Sequence, residues 1–386
     1  MKIVEIERFP IRLNPVKTGY RADDRLSSIA RVDTVVIRVK TDSAIVGLGE
    51  AASIASYLNQ TMGGLLDWLE VYATALVGAD ALNLNELNRR LDAVSGEFPP
   101  GCQPARAAID MAIYDIIGKA REVPVFDVLG GAYRTELEML TNLYEDTPEE
   151  MAAEAQRFVD RGFSGLKVKI GTSIILDGRN AENLERERRK LDAVLKTVDA
   201  GIYIDADANQ SWANAGLARN IITSILHEEF YGNLSLEQPL HHLDLKGHAE
   251  LREKLAIPII LDESVTSPEA MMQIARASAA DRIVLKIGRV GGLTKARAIA
   301  DICEAAAIGV SVDTLPFTKL GDAALCHPAA TLRDPFPIDA EGHLWFDKTP
   351  FVGGFEISNG RVILGDQPGL GVELDEQALG ALMVDA

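Results

Sequence analysis

A closed parallel α/β barrel behind a smaller α+β capping domain is the fold this sequence predicts, and three observations predict it. From residue 137 onward, short apolar runs alternate with stretches of helical periodicity, the pattern of a parallel sheet with helical crossovers. Consecutive runs lie roughly 25–40 residues apart, the length of a strand, a helix and their two loops; about eight such units favour a closed ring over an open doubly wound sheet. The glycine-rich phosphate fingerprint of a dinucleotide fold is missing after the first strand of this series, so the open alternative lacks its signature loop.

Length and charge set the remaining bounds. A chain of 386 residues suits two domains better than one core. The formal net charge of −18 argues against nucleic acid and against anionic membrane surfaces as partners. The N-terminus MKIVEIERFPIRL alternates like a strand and has no signal-peptide apolar core, and no apolar run approaches the roughly 20 residues of a spanning helix. Cys102, Cys303 and Cys326 are sparse, odd in number and without metal-site spacing, which reads as reduced thiols and a cytoplasmic location.

In chain order, KIVEIERFPI, TVVIRVKT and IVGLGEA are strand-like, and Thr41-Asp42-Ser43 has hairpin chemistry between the second and third. Residues 14–28 and 51–64 are polar or flexible stretches with the character of lids over a site. The segment ARAAIDMAIYDIIGKA (105–120) keeps Ala108, Met111, Ala112, Ile116 and Ile117 near one helical face. Pro124 and Gly130-Gly131 then punctuate the chain. These signals divide it into a capping domain (1–125), a barrel (126–350) and a C-terminal segment (351–386) that returns to the cap. Barrel strands are expected at LEMLTNL (137–143), GLKVKIG, IYIDADAN, LSLEQP, IPIILDES, RIVLKIG, GVSVDT and, more weakly, near PFPIDAEG (335–342). Thr147-Pro148-Glu149-Glu150 opens the first barrel helix with a capping residue and proline at its first position.

The charged residues gather at the C-terminal ends of these strands, which converge on one mouth of a parallel barrel. Lys167 and Lys169 face the same side of their strand. Two buried ammonium groups so close are expected to depress each other's pKa, leaving an amine able to accept a proton near neutrality. Asp207, Glu237 and Asp262 end three successive strands and converge there as oxygen ligands for one hard cation, Mg²⁺ by chemistry. Asp205 and Asn209 share the face of Asp207, and Glu263 follows Asp262, so all three are placed to support the ligands. Lys286 ends the strand four places around the ring from Lys169. One amine then addresses each face of a substrate whose carboxylate meets the cation.

Taken together, ARAAIDMAIYDIIGKA, VFDVLGG, the Lys-x-Lys pair, Asp-Ala-Asn-Gln with Trp212, Glu-Gln-Pro, Asp-Glu-Ser and Lys-Ile-Gly-Arg-Val-Gly-Gly resemble the enolase superfamily. The subgroup is that of the muconate-lactonizing enzymes, the mandelate racemase/muconate cycloisomerase family, and the resemblance spans nearly the whole chain. It implies a (β/α)₇β TIM-like barrel with an N-terminal capping domain, and usually a homo-oligomer. It implies Lys169 and Lys286 as acid/base residues, Lys167 as the tuning lysine, and Asp207, Glu237 and Asp262 as Mg²⁺ ligands, choosing Asp262 over Glu263. The reaction implied is proton abstraction beside a carboxylate through an enediolate. Residues 14–28, with Tyr20, and 51–64 would be the specificity loops.

The end of the eighth strand bears on the outcome of that reaction. Asp339 and Glu341 share a face and resemble the Asp-x-Asp pair with which dipeptide epimerases hold a substrate ammonium, although Glu at the second position changes the reach. Asp313 and Thr314 end the seventh strand and add a further acidic contact. The expectation is racemisation or epimerisation of a small carboxylate with a cationic nitrogen: a dipeptide, an amino acid or a proline betaine. Muconate-type cycloisomerisation or syn dehydration is the alternative with the same residues, and a metal-stabilised binding protein is the alternative without chemistry.

Overall fold

The computed structural model of the chain describes residues 1–16, 32–54, 58–95 and 101–385. β1 (Ile3–Leu13), β2 (Val32–Thr41) and β3 (Val46–Ser53) form an antiparallel sheet in that order. Thr41 closes the β2–β3 turn through its hydroxyl, 2.8 Å from Ser43 Oγ and 2.8 Å from the Ile45 carbonyl. The helix Gln103–Arg121 packs across this sheet with almost its whole length buried. Glycines in β3 permit the close approach: a Cβ at Gly49 would stand 1.9 Å from the Ala108 carbonyl oxygen, and one at Gly47 2.1 Å from that of Ala112.

The sequence reading treats residues 137–143 as one barrel strand, and this needs correction. The run splits at Met139. β4 (Glu136–Glu138) joins a separate antiparallel sheet, and β5 (Leu140–Leu143) alone begins the barrel. The next barrel strands are β6 (Gly165–Lys169), β7 (Tyr203–Asp207), β8 (Leu234–Glu237), β9 (Ile259–Leu261), β10 (Arg282–Leu285) and β11 (Gly309–Val312). All pair in parallel with their sequence neighbours. Most helices between them start with side-chain caps: Thr147 Oγ1, for one, accepts from the Glu150 amide at 3.2 Å, with Pro148 at the first helical position.

The eighth position is filled by residues 336–339, which bridge both edges of the sheet. Asp339 N donates to Val312 O at 3.2 Å on one side, and Leu140 N donates to Ile338 O at 3.0 Å on the other. The ring is closed, with its eighth member held by isolated bridges rather than by a full strand. Beyond it lie β12 (Phe351–Gly353), β13 (Phe355–Ser358), β14 (Arg361–Leu364) and β15 (Val372–Leu374). The β13–β14 hairpin extends β4, whereas Gly369 hydrogen-bonds Val123 and Val125, and Val384 donates to Pro10 of β1.

Two buried carboxylates of the N-terminal region plug the starts of successive barrel helices. Asp110 accepts from Thr294 N at 2.9 Å and Thr294 Oγ1 at 2.7 Å, at the start of the helix Leu293–Ala306. Glu50 accepts from Thr318 N at 2.9 Å, Thr318 Oγ1 at 2.6 Å and Gly321 N at 3.1 Å, at the start of the helix Lys319–Ala330. Helix N-termini leave unpaired N–H groups, and an anion there satisfies them. Gly291-Gly292 serves the same joint: Gly292 has φ +107°, and a Cβ on it would fall 2.5 Å from Asp110 Oδ2.

Candidate active site

Period-two alternation stacks the polar side chains in layers inside the ring. Lys167 and Asp205 are register partners on β6 and β7, as are Lys169 and Asp207, and Asp207 in turn pairs with Glu237 on β8. Asp262 directly follows β9, Lys286 follows β10 and Asp313 follows β11. Four steps of the sheet separate β6 from β10, with β7, β8 and β9 between them. All eight side chains are at least 88% shielded from solvent.

Each of the three predicted ligands meets a cation. Lys169 Nζ donates to Asp207 Oδ2 at 2.5 Å, Lys167 Nζ to Glu237 Oε2 at 2.7 Å, and Lys286 Nζ to Asp262 Oδ2 at 2.9 Å. Arg289 donates to the carbonyl and the carboxylate of Asp262 and to Val265 O at 3.1 Å. Burial raises the pKa of Asp262, but Arg289 and Lys286 outweigh it and hold the acid well below its ordinary value. Burial likewise opposes charge on Asp207, and Lys169 and Lys167 overcome it, so this pKa falls. Glu263 is pushed up to about 7 by burial and by the charges of Asp262 and Asp207.

The expected mutual depression of the two lysines is overturned at Lys167. Its Nζ lies 2.7 Å from Glu237, 2.7 Å from Asp313 and 3.2 Å from Asp205. Burial disfavours the charge, but Asp313, Glu237 and Asp205 together raise its pKa well above the ordinary value. The physical reason is tertiary: carboxylates from β7, β8 and the end of β11 point at one interior amine.

Two predicted substrate contacts are also turned into the scaffold. Asp313 accepts from Lys167 and, at 2.9 Å, from Ser311 Oγ. The Thr314 hydroxyl bonds Leu315 O at 2.6 Å and the Asp322 carboxylate. Asp205 lies against Lys167 as a support, and Asn209 donates through its backbone to Asp207 Oδ1 at 2.8 Å and through its amide to Glu263 Oε1 at 3.5 Å. Tyr20 lies outside the described residues.

Asp339 and Glu341 stand together beside β5. Glu341 is fully buried and accepts from Thr141 Oγ1 at 2.7 Å, Asn142 N at 3.1 Å and Asn142 Nδ2 at 2.8 Å. Asn142 Nδ2 also donates to Asp339 Oδ2 at 2.8 Å. Burial together with Glu341 and Asp313 raises the Asp339 pKa well above its ordinary value. Thr141, Asn142 and Arg289 were not singled out in the sequence. Asn142 had a usable signal, a polar side chain near the end of the first barrel strand. Arg289 had one too, within the Lys-Ile-Gly-Arg run. Gln238 is a further support: its side-chain oxygen accepts from Asp262 N at 2.9 Å and Ser264 N at 3.2 Å, tying β8 to the loop after β9.

Among the described residues no three His, Cys, Asp or Glu side chains are gathered as a ready-made ion site, because the acids turn to the lysines and Arg289. The donor set nevertheless fits a hard divalent cation. Carboxylates end three adjacent strands, and Glu237 Oε1 and Glu263 Oε2 are buried without a hydrogen-bond partner. Burial and the neighbouring charges of Asp205 and Asp207 push the Glu237 pKa well up. Such an excess of buried acid is relieved by a proton or by a cation.

Comparison with known proteins gives a consistent answer. A family model described as "Enolase C-terminal domain-like" matches residues 150–378, and one described as "Mandelate racemase / muconate lactonizing enzyme, N-terminal domain" matches residues 11–130. The chain is 28% identical to an N-succinyl-L-Arg/Lys racemase of Bacillus cereus, covering 100% of this chain and 98% of that one. It is 28% identical to an L-Ala-D/L-Glu epimerase of Bacillus subtilis, covering 96% and 97%. A crystal structure of a dipeptide epimerase from Enterococcus faecalis, complexed with Mg and the dipeptide L-Leu-L-Tyr, superposes with a TM-score of 0.85 at 26% identity, covering 97% of this chain and 100% of that one.

Proposed function

This chain belongs to the mandelate racemase/muconate lactonizing enzyme family of the enolase superfamily, and from that premise we propose that it is a Mg²⁺-dependent racemase or epimerase. Its substrate is an amino-acid derivative with a carboxylate beside the reacting carbon and a cationic nitrogen. One observation carries the reading: Lys169 and Lys286 end strands four positions apart around the ring, with Asp207, Glu237 and Asp262 on the three strands between.

Inversion at a carbon needs one group to take the proton from one face and another to return a proton to the opposite face. Lys169 and Lys286 fill those roles. Asp207, Glu237 and Asp262 hold Mg²⁺, which when bound supplies Lewis-acid stabilisation of the negative charge that reaches the carboxylate oxygens as the α-proton leaves. Lys167 holds Glu237 toward the centre of the ring, Arg289 and Gln238 fix the loop carrying Asp262, and Asn209 steadies Asp207. The burial of the side chains around this mouth limits bulk water at the anion. Carboxylates outnumber the cations around this mouth, which disfavours a dicarboxylate of the muconate type and favours a substrate with positive charge at its far end. A homo-oligomeric, cytoplasmic enzyme completes the proposal.

Solvent exchange tests it. Candidate cationic amino-acid derivatives and dipeptides, incubated with enzyme and Mg²⁺ in D₂O, are expected to gain deuterium at the α-carbon. For the enantiomer whose α-proton the missing amine would take, labelling should fall at least about 1,000-fold in Lys169→Ala and, for the opposite enantiomer, in Lys286→Ala. Persistence of full labelling in both variants would refute the assignment.

A further inference from the structure

Of the two acids that end the eighth barrel position, Glu341 is turned to β5. Its Oε2 takes the Thr141 hydroxyl at 2.7 Å, and its Oε1 takes both the backbone N–H and the side-chain amide of Asn142, at 3.1 and 2.8 Å. All three donors lie on β5, the neighbour of residues 336–339 across the seam that closes the ring. With 0% of its surface exposed, Glu341 would have to give up buried hydrogen bonds before touching a substrate. Each such loss costs more than an exposed bond, because the stranded partner stays buried.

Asp339 is nearly as buried but takes two hydrogen bonds rather than three. It keeps 4% exposure, and its contacts are an orienting pair: Oδ2 accepts from Asn142 Nδ2 at 2.8 Å and Oδ1 from Glu341 N at 3.2 Å. A carboxylate oxygen offers about two lone-pair directions, so each oxygen retains capacity for a second donor. Asn142 bridges the two acids with a single amide, donating to both at 2.8 Å. The longer side chain at position 341 reaches strand β5 with both of its oxygens. That reach is the physical consequence of glutamate standing where the Asp-x-Asp pattern has its second aspartate.

We propose that the second acid does not bind the substrate: Glu341 is a positioning residue that clasps the barrel seam, and through Asn142 it fixes the carboxylate of Asp339, the acid left to meet the cationic end of the substrate. The assignment of Asp339 rests on the reading of a cationic substrate above; the role of Glu341 does not. Wherever the seam is loosened, Asp339 loses its orientation, so both residues influence binding but only one through direct contact.

Two readouts on the full-length protein separate these roles. Thermal denaturation comes first. Glu341→Gln is expected to lower Tm by roughly 2 °C or more, since one of its two acceptor oxygens, each facing a buried donor, becomes an NH2 group. Asp339→Asn is expected to leave Tm unchanged or raise it, because a crowded buried charge is removed. If Glu341→Gln does not fold, Thr141→Val, which removes one donor at constant shape, carries the same test with a smaller shift.

Steady-state α-proton exchange on the dipeptide and amino-acid panel comes second. Asp339→Asn should raise KM at least about tenfold with kcat within about threefold of wild type. Asn142→Ala should raise KM while also lowering Tm. Equal KM effects from Asp339→Asn and Glu341→Gln, with Tm of the latter unmoved, would overturn the division. A wild-type enzyme that labels no member of the panel would count against the proposed reaction, and the Tm pattern would still decide the role of Glu341.

Discussion

Lys167 was read in the sequence as one half of a pair of repelling amines, and its surroundings give it another meaning. Three carboxylates from other strands hold it protonated, so it acts as a fixed cation that gathers Glu237 and Asp313. Glu50 is the opposite case, a buried acid with several donors but, among the described residues, no cation against it. Burial outweighs the bonds from Thr318 and Gly321 and pushes its pKa up to about 7. The folded protein therefore keeps this proton up to about pH 7, whereas the unfolded chain releases it near 4.5. In that window the native state binds more protons, so stability falls as pH rises from about 4.5 through about 7, by up to roughly 3 kcal/mol. Urea denaturation at pH 5 and pH 8 is expected to show this fall in the wild type and to show it reduced in Glu50→Gln. An unchanged pH dependence in the variant would mean that another group carries it.

At the level of elements, the joint between the helix Gln103–Arg121 and the helix Leu293–Ala306 explains part of a motif. The Gly-Gly that ends Lys-Ile-Gly-Arg-Val-Gly-Gly invites a ligand-binding reading, yet Gly292 is crowded by Asp110 of the capping helix rather than by a pore. Gly292→Ala places a Cβ against that carboxylate at a backbone conformation alanine adopts poorly. It is expected to cost about 2 kcal/mol or more by chemical denaturation. Gly380→Ala is the control: the residue lies in the helix Glu376–Leu382 with nothing within 4 Å of its would-be Cβ. That change is expected to be neutral or to stabilise by about 0.5–1 kcal/mol. Equal losses in both variants would remove the argument from the Asp110 contact.

For the molecule as a whole, buried acids from strands far apart in sequence meet in one polar interior, and several remain short of donors. A divalent ion that binds only the folded state adds stability in proportion to its saturation. Added Mg²⁺ at about 100 times its dissociation constant is expected to raise Tm by roughly 3 °C, and a chelator to reverse the rise. Asp207→Asn should abolish the shift without abolishing folding. A Tm indifferent to Mg²⁺ in the wild type would leave the carboxylates neutralised by Lys167, Lys169, Lys286 and Arg289 alone.

The sequence by itself determined the barrel, the closing position near residues 335–342 and the strand-end placement of Lys169, Asp207, Glu237, Asp262 and Lys286. Those follow from alternation and spacing, which are local properties that survive without a partner. It missed the break at Met139, because β4 is an apolar-alternating run whose pairing partner, β14, lies more than two hundred residues away. Tertiary structure alone decided which acids face which amines, that Asp313 and Thr314 bond to Lys167, Ser311 and Asp322, and that Glu341 bonds to β5. Side-chain partnership across a closed ring depends on strands brought together by the fold, and no periodicity records it.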